Sequence, residues 1–341
     1  MIRWGILGCG SVTEQKSGPA LRKAQGSALV AVMRRDARLA ADYARRHGVA
    51  RWYDNADALI QDPEVDAVYI ATPVDTHASY ALAVAAAGKP AYVEKPMARH
   101  TPECERMIEA FEAAGKPLFV AYYRRALPRF VRVRELLEAG AVGTVTSVRY
   151  AYDAPLKQVA VGALPWRVQA RQSGGGLFLD LGCHALDVID MLLGELSDVQ
   201  GRADNRGGAY TVEDQVVMTF RTACGVPGTA DWNFASAIRE DRLEIVGLCG
   251  RLQLSVFGDS PLLLRDGHGD REVHVANPQH IQQPLIQSIV DALHGRGTCP
   301  STGRTALRTA RVMDAVLASY YGGRVDAYWE REATWPGRSL R

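Results

Sequence analysis

The chain has 341 residues, of which 47% are apolar and 23% charged, and its formal charge is +2. That length allows two domains that each bury a core, and near-balanced charge, with no basic run beyond pairs such as Arg45-Arg46 and Arg124-Arg125, argues against a nucleic-acid-binding surface. Six scattered cysteines without a CxxC pair read as reduced thiols; no apolar run approaches about 18 residues and "MIRWGILGCG" is no charged leader, so a cytoplasmic protein free of the membrane is expected.

The first third alternates short β-type runs with helical ones, the pattern of βαβ units around a parallel sheet. Strands are expected at "IRWGILG", "ALVAVMR", "DAVYIAT", "PAYVEK" and "PLFVAY". Between them lie the helices "RLAADYARRHG", "DTHASYALAVAAAG" and "TPECERMIEAFEAAG", each closing on a glycine suited to a positive φ. The first strand runs into "GILGCGSVTE", where Gly8 and Gly10 let backbone N–H groups approach a pyrophosphate at a helix N-terminus. Thr13 stands at the third small position of this fingerprint, and the plainer reading is a tight strand-to-helix turn. The second strand ends in "AVMRRD", with Arg34 and Arg35 where an NAD-binding carboxylate is expected. A guanidinium there suits the 2′-phosphate of NADP, whereas Asp36 binding the ribose would point to NAD.

The motif "AYVEKPMA" puts Glu94 and Lys95 at the carboxyl end of a strand, where ligands of open α/β sheets bind. Lys95 is there either a surface cation or a donor to a substrate hydroxyl. After "RFVRVRELLEAG" the character changes to successive strands, "TVTSVRYAYD", "LSDVQGRADN", "QVVMTFRT", "GTADWNF", "RLEIVG" and "RLQLSV", which predict a largely antiparallel sheet in an α+β domain. Two helices follow, from about Ile281 to His294 and about Thr302 to Tyr321; the tail with Trp329 and Trp335 carries no clear signal. Expected domains are thus residues 1–122 and 123–341.

Within the second domain, "GGGLFLDLGCHALDVIDMLLGE" reads as a very apolar helix that nonetheless holds Asp180, His184 and Asp187 on one stripe with Met191. A carboxylate one turn from an imidazole orients it and tunes it for proton transfer, which ranks acid/base chemistry above a core pair and both above a metal site.

With the glycine turn, "EKP" and the DxGxH pattern Asp180-Leu-Gly-Cys-His184 in this order, the chain resembles the Gfo/Idh/MocA oxidoreductase family up to about Tyr321, with "YYRRALPRF" and "PWR" as further landmarks. The resemblance implies an N-terminal Rossmann domain and a C-terminal α+β domain whose open sheet builds homodimers or homotetramers. It implies hydride transfer between NADP, or NAD, and a sugar, cyclitol or related polyol or carbonyl compound. Lys95, Asp180 and His184 match the catalytic positions. His184 is then the acid/base, Lys95 positions the reacting oxygen and Asp180 modulates the pair. Cofactor contacts implied are Gly8, Gly10, Ser11, Val12, Arg34, Arg35, Thr72, Pro73, His77, Glu94, Lys95 and Arg167. Tyr123, where many members carry an asparagine, and Trp166 stand on the substrate side with Asp180 and His184; as stacking surfaces they also suit an aromatic dihydrodiol or ketone. A non-catalytic dinucleotide-binding regulator is the alternative from another class, and its expected mark is loss of one of the three catalytic residues.

Overall fold

The strand Ala67–Ile70 is buried at all four positions and Ile2–Leu7 at its last four, as in a sheet covered on both faces. In the computed structural model, which describes residues 1–156, 164–325 and 327–338, both belong to a six-stranded parallel sheet. Its strands are Ile2–Leu7 (β1), Ser27–Met33 (β2), Arg51–Tyr53 (β3), Ala67–Ile70 (β4), Ala91–Val93 (β5) and Leu118–Val120 (β6), ordered β3-β2-β1-β4-β5-β6. The order reverses between β1 and β4, and ligands of such sheets bind outside the carboxyl ends at that point. The glycines expected to end the three helices, Gly48, Gly88 and Gly115, have φ of 63°, 68° and 62°. Five strands are expected from the sequence; the sixth, β3, is a three-residue edge strand with Trp52 exposed at its centre, too short to show a period.

The second sheet has eight strands: Val145–Pro155 (β7), Ser197–Asp204 (β8), Gln215–Arg221 (β9), Pro227–Ser236 (β10), Glu240–Gly247 (β11), Gly250–Leu254 (β12), Leu262–Asp266 (β13) and Gly269–Val273 (β14). Their order is β14-β13-β12-β11-β7-β10-β9-β8, with β7 and β10 parallel and every other neighbour antiparallel. Alternation along β9 and β10 buries Val216, Met218, Phe220, Ala230 and Trp232 on one face, and Phe178 sets its ring edge-on to Trp232 at 4.8 Å. The tail folds back as the turn Tyr328–Thr334. Trp335 is buried there against Tyr321, with its indole N–H donating to the Tyr328 carbonyl at 3.0 Å.

Composition leads one to expect a single boundary after Tyr122, but the chain returns. One unit is Met1–Leu127 with Pro278–Leu307, and the other is Pro128–Asn277 with the chain from Arg308 onward. The helix Gln283–Leu293 joins the first unit by packing on the helix Ser17–Lys23 and the turn Tyr123–Ala126.

Candidate active site

In the first unit the amides of Gly8 and Cys9 both donate to the Met33 carbonyl, at 2.9 and 3.1 Å, which pins the glycine turn to the end of β2. Gly8 has φ +88°, and a Cβ there would lie 2.7 Å from Thr72 Cγ2 and 3.0 Å from the Ala71 carbonyl carbon. Only glycine fits, because a side chain here would strike the loop that follows β4. Gly10 then caps the short helix Ser11–Gln15, which includes Val12, before the helix Ser17–Lys23. Thr13 is buried; its hydroxyl donates to the Gly10 carbonyl and its own carbonyl accepts from the Tyr43 hydroxyl, each at 2.9 Å. The close approach that a third glycine usually permits occurs instead at Gly18, where a Cβ would collide with the Thr13 carbonyl and lie 2.6 Å from the Tyr43 hydroxyl.

Arg34 and Arg35 are exposed, and Arg34 Nη1 donates to the Cys9 carbonyl at 3.4 Å, beside the glycine turn. Asp36 caps the helix Ala37–His47, its Oδ1 accepting from the Arg38 and Leu39 amides at 3.0 and 3.3 Å. The Thr76 hydroxyl donates to the Pro73 carbonyl and shares a hydrogen bond with the Thr72 hydroxyl, which can donate to it, at 2.8 Å each. His77 is buried, with Nε2 2.9 Å from the Thr72 carbonyl and Nδ1 3.1 Å from the Pro96 carbonyl, so it ties the loop after β4 to the loop after β5. Burial pushes its pKa down against the pull of those carbonyls. Buried Glu94 accepts from the Tyr69 hydroxyl at 2.6 Å, from Gln282 Nε2 at 2.8 Å and from the Lys95 amide at 3.2 Å. Lys95 therefore leaves β5 on an anchored backbone, ahead of a cis bond to Pro96. Tyr123 is buried with the Arg124 guanidinium 4.9 Å from its ring.

In the second unit the apolar segment is not the single helix its periodicity predicts. Gly174 and Gly175 turn with φ of 82° and 156°; Phe178–Gly182 then forms a π turn, and Cys183–Leu193 an α-helix. Such wide turns occur often at functional sites. The expected stripe divides accordingly: Asp180 reaches solvent, whereas His184 and Asp187 are buried. Asp180 Oδ2 pairs with Arg167 Nε at 3.0 Å, and the same guanidinium lies 4.5 Å from the Trp166 ring. Phe257, which sequence reasoning misses, meets the His184 ring edge-on with centroids 6.0 Å apart. Its loop is held by Asp241, which accepts from the Val256 and Phe257 amides at 3.1 and 2.6 Å, and by buried Arg129, which donates to the Ser260 carbonyl at 2.6 Å. Asp241 lies in the charged run "REDRLE", indistinguishable by sequence from a solvated strand end. Among the described residues no three His, Cys, Asp or Glu side chains converge as a metal site requires, and no helix is long and apolar enough to cross a membrane.

A sheet ordered β3-β2-β1-β4-β5-β6 with a glycine turn after β1 is the arrangement of a dinucleotide-binding domain. Residues 2–122 match the oxidoreductase family with NAD-binding Rossmann fold, and residues 130–253 match the GFO/IDH/MocA C-terminal domain. The chain belongs to the Gfo/Idh/MocA oxidoreductase family, and it is an NAD(P)-dependent dehydrogenase or reductase acting on CH–OH groups. It is 36% identical over 321 residues to oxidoreductase P35 of Formosa agariphila, covering 92% of this chain and 97% of that protein. The 1,5-anhydro-D-fructose reductase of Ensifer adhaerens is 26% identical over 309 residues, 89% of this chain and 91% of that protein. A solved structure of levoglucosan dehydrogenase in complex with NADH and levoglucosan shares the fold, with a TM-score of 0.83 over 93% of this chain and 96% of that one at 24% identity.

Proposed function

We propose that the enzyme transfers a hydride between NADP and a sugar-like or cyclitol-like alcohol or its ketone. His184 is the acid/base on the reacting oxygen, Asp180 modulates it and Lys95 positions the substrate hydroxyl. Relatives named for an anhydro-sugar, levoglucosan and myo-inositol support the substrate class. The observation that carries the chemistry is the segment from Phe178 to Leu193, which offers a buried imidazole four residues beyond an ion-paired carboxylate. Bound NADP supplies the hydride acceptor or donor. In oxidation His184 takes the hydroxyl proton as the carbon gives up its hydride; in reduction it returns that proton to the forming alcohol. Lys95, a compact cation, favours the deprotonated oxygen.

Gly8, Gly10, Ser11 and Val12 supply the backbone that meets the pyrophosphate, and Thr72 and Pro73 line the adjoining loop. NADP over NAD rests on Arg34 at the glycine turn while Asp36 is engaged as a helix cap, with Arg35 adding charge. We assign His77 and Glu94 to holding these loops, and assembly into homodimers or homotetramers to the eight-stranded sheet.

The test is fluorescence titration with NADPH and NADH, followed by turnover on levoglucosan, myo-inositol and 1,5-anhydro-D-fructose. NADPH is expected to bind at least about tenfold tighter, roughly 1.4 kcal/mol. His184→Ala and Lys95→Ala are expected to cut turnover by about two orders of magnitude or more and leave nucleotide affinity nearly unchanged. Tighter NADH binding overturns the NADP assignment, and normal turnover in both variants overturns the catalytic one.

A further inference from the structure

The triple glycine Gly174–Gly176 opens the segment that carries Asp180 and His184, and both its ends are held by side chains from far along the chain. The Gly176 amide donates to both carboxylate oxygens of Glu213, at 2.9 Å each. The Gly174 carbonyl accepts from Arg324 Nη1 at 2.6 Å and from the Tyr328 hydroxyl. The Tyr321 hydroxyl donates to Glu213, and Arg324 pairs through Nε with Asp314 at 2.6 Å while its guanidinium stands 4.9 Å from the Tyr328 ring. Glu213, Tyr321, Tyr328 and Arg324 are all buried. A side chain at Gly176 would collide with the Glu213 backbone, and a Cβ at Gly175 would reach within 3.0 Å of the Tyr321 hydroxyl.

Burying a carboxylate and a guanidinium is costly, and a well-packed apolar cluster serves stability as well or better. What the charged groups add here is direction, because they grip two named backbone groups of one turn. We propose that Glu213, Tyr321, Arg324 and Tyr328 act as positioning residues, fixing where the π turn Phe178–Gly182 begins and thereby the placement of Asp180 and His184. The catalytic meaning of that placement rests on the role proposed above for the two residues.

Two measurements on the full chain test it without turnover, so failure of the catalytic assignment and failure of this one are distinguishable. Hydrogen exchange follows the amides of residues 176–184, and NMR titration follows the His184 ring, assigned through its loss in His184→Asn. In Glu213→Gln, exchange over 176–184 is expected to quicken about tenfold or more while β7 is unchanged. The His184 midpoint is expected to move by about half a pH unit or more while that of His77 stays, which a merely stabilising cluster would not cause. Tyr328→Phe removes one hydroxyl and keeps the ring, and gives the same local effect should Glu213→Gln fail to fold. An unchanged His184 midpoint, or exchange that rises evenly across the second unit, overturns the proposal.

Discussion

Arg167 shows how a single contact separates stability from chemistry. Its pair with Asp180 is part-exposed, with 46% of the Arg167 side chain and 20% of the Asp180 side chain open to solvent. Screened pairs of this kind contribute about 0–1 kcal/mol. Arg167→Ala is therefore expected to lower Tm by no more than about 2–4 °C. For the proposed Asp180–His184 pair, removing that cation leaves the Asp180 charge less compensated and is expected to favour the imidazolium form. On the acid/base role proposed for His184, the acid limb of kcat/KM in the oxidative direction is expected to move to higher pH and turnover to fall by about tenfold or more. A large loss of Tm with an unmoved pH profile would instead make Arg167 a packing residue. The pairing is not legible in "PWR", because Asp180 lies thirteen residues on, across a turn whose course depends on Gly174–Gly176 and their distant partners.

Elements whose signals are local can be read from the sequence: the glycine turn after β1, the alternation of strands and helices, and the glycines that end the helices. The π turn and its holdfast cannot, because they depend on pairs far apart in the chain. Glu213 lies in "TVEDQ", an acidic loop by appearance, and its partners Gly176 and Tyr321 are 37 and 108 residues away. Burial pushes the Glu213 carboxyl up to about 7 from 4.5, against the downward pull of the Tyr321 hydroxyl, Arg324 and the Gly176 amide. Buried Tyr210 and Tyr320 also face this carboxyl. Because the folded state holds this proton more tightly than the unfolded chain, the group's contribution to stability is full below about pH 4.5 and is lost as pH rises through about 7. Denaturant midpoints of wild type and Glu213→Gln, measured from pH 5 to 8, are expected to show that decline in wild type only, with the difference between them constant above about pH 7. Parallel curves across the whole range would mean that Glu213 keeps an ordinary carboxyl pKa.

At the scale of the whole molecule, the shift from helix-alternating to successive strands near Tyr122 is visible in composition, but the return of Pro278–Leu307 to the first unit is not. An amphipathic helix such as Gln283–Leu293 carries no sign of which sheet it covers. In the structure its Leu285, Ile286, Ile289 and Val290 are fully buried, and Gln282 just before it donates to Glu94 and accepts from the Tyr92 hydroxyl at 2.9 Å. Burying one such aliphatic side chain is worth about 1.5–3 kcal/mol, so the four contribute on the order of 6–12 kcal/mol. That is comparable to the entire stability of an ordinary domain, about 5–15 kcal/mol. Residues 1–122 expressed alone are therefore expected to lack a cooperative thermal transition and a near-ultraviolet dichroism signal, since Tyr69, Tyr92 and Glu94 lose their cover. Residues 1–127 joined to 278–307 by a glycine–serine linker are expected to regain both, and with them nucleotide binding through the Gly8 turn. A sharp transition together with NADPH binding in the 1–122 fragment would show that the nucleotide domain completes its core without the returning helix.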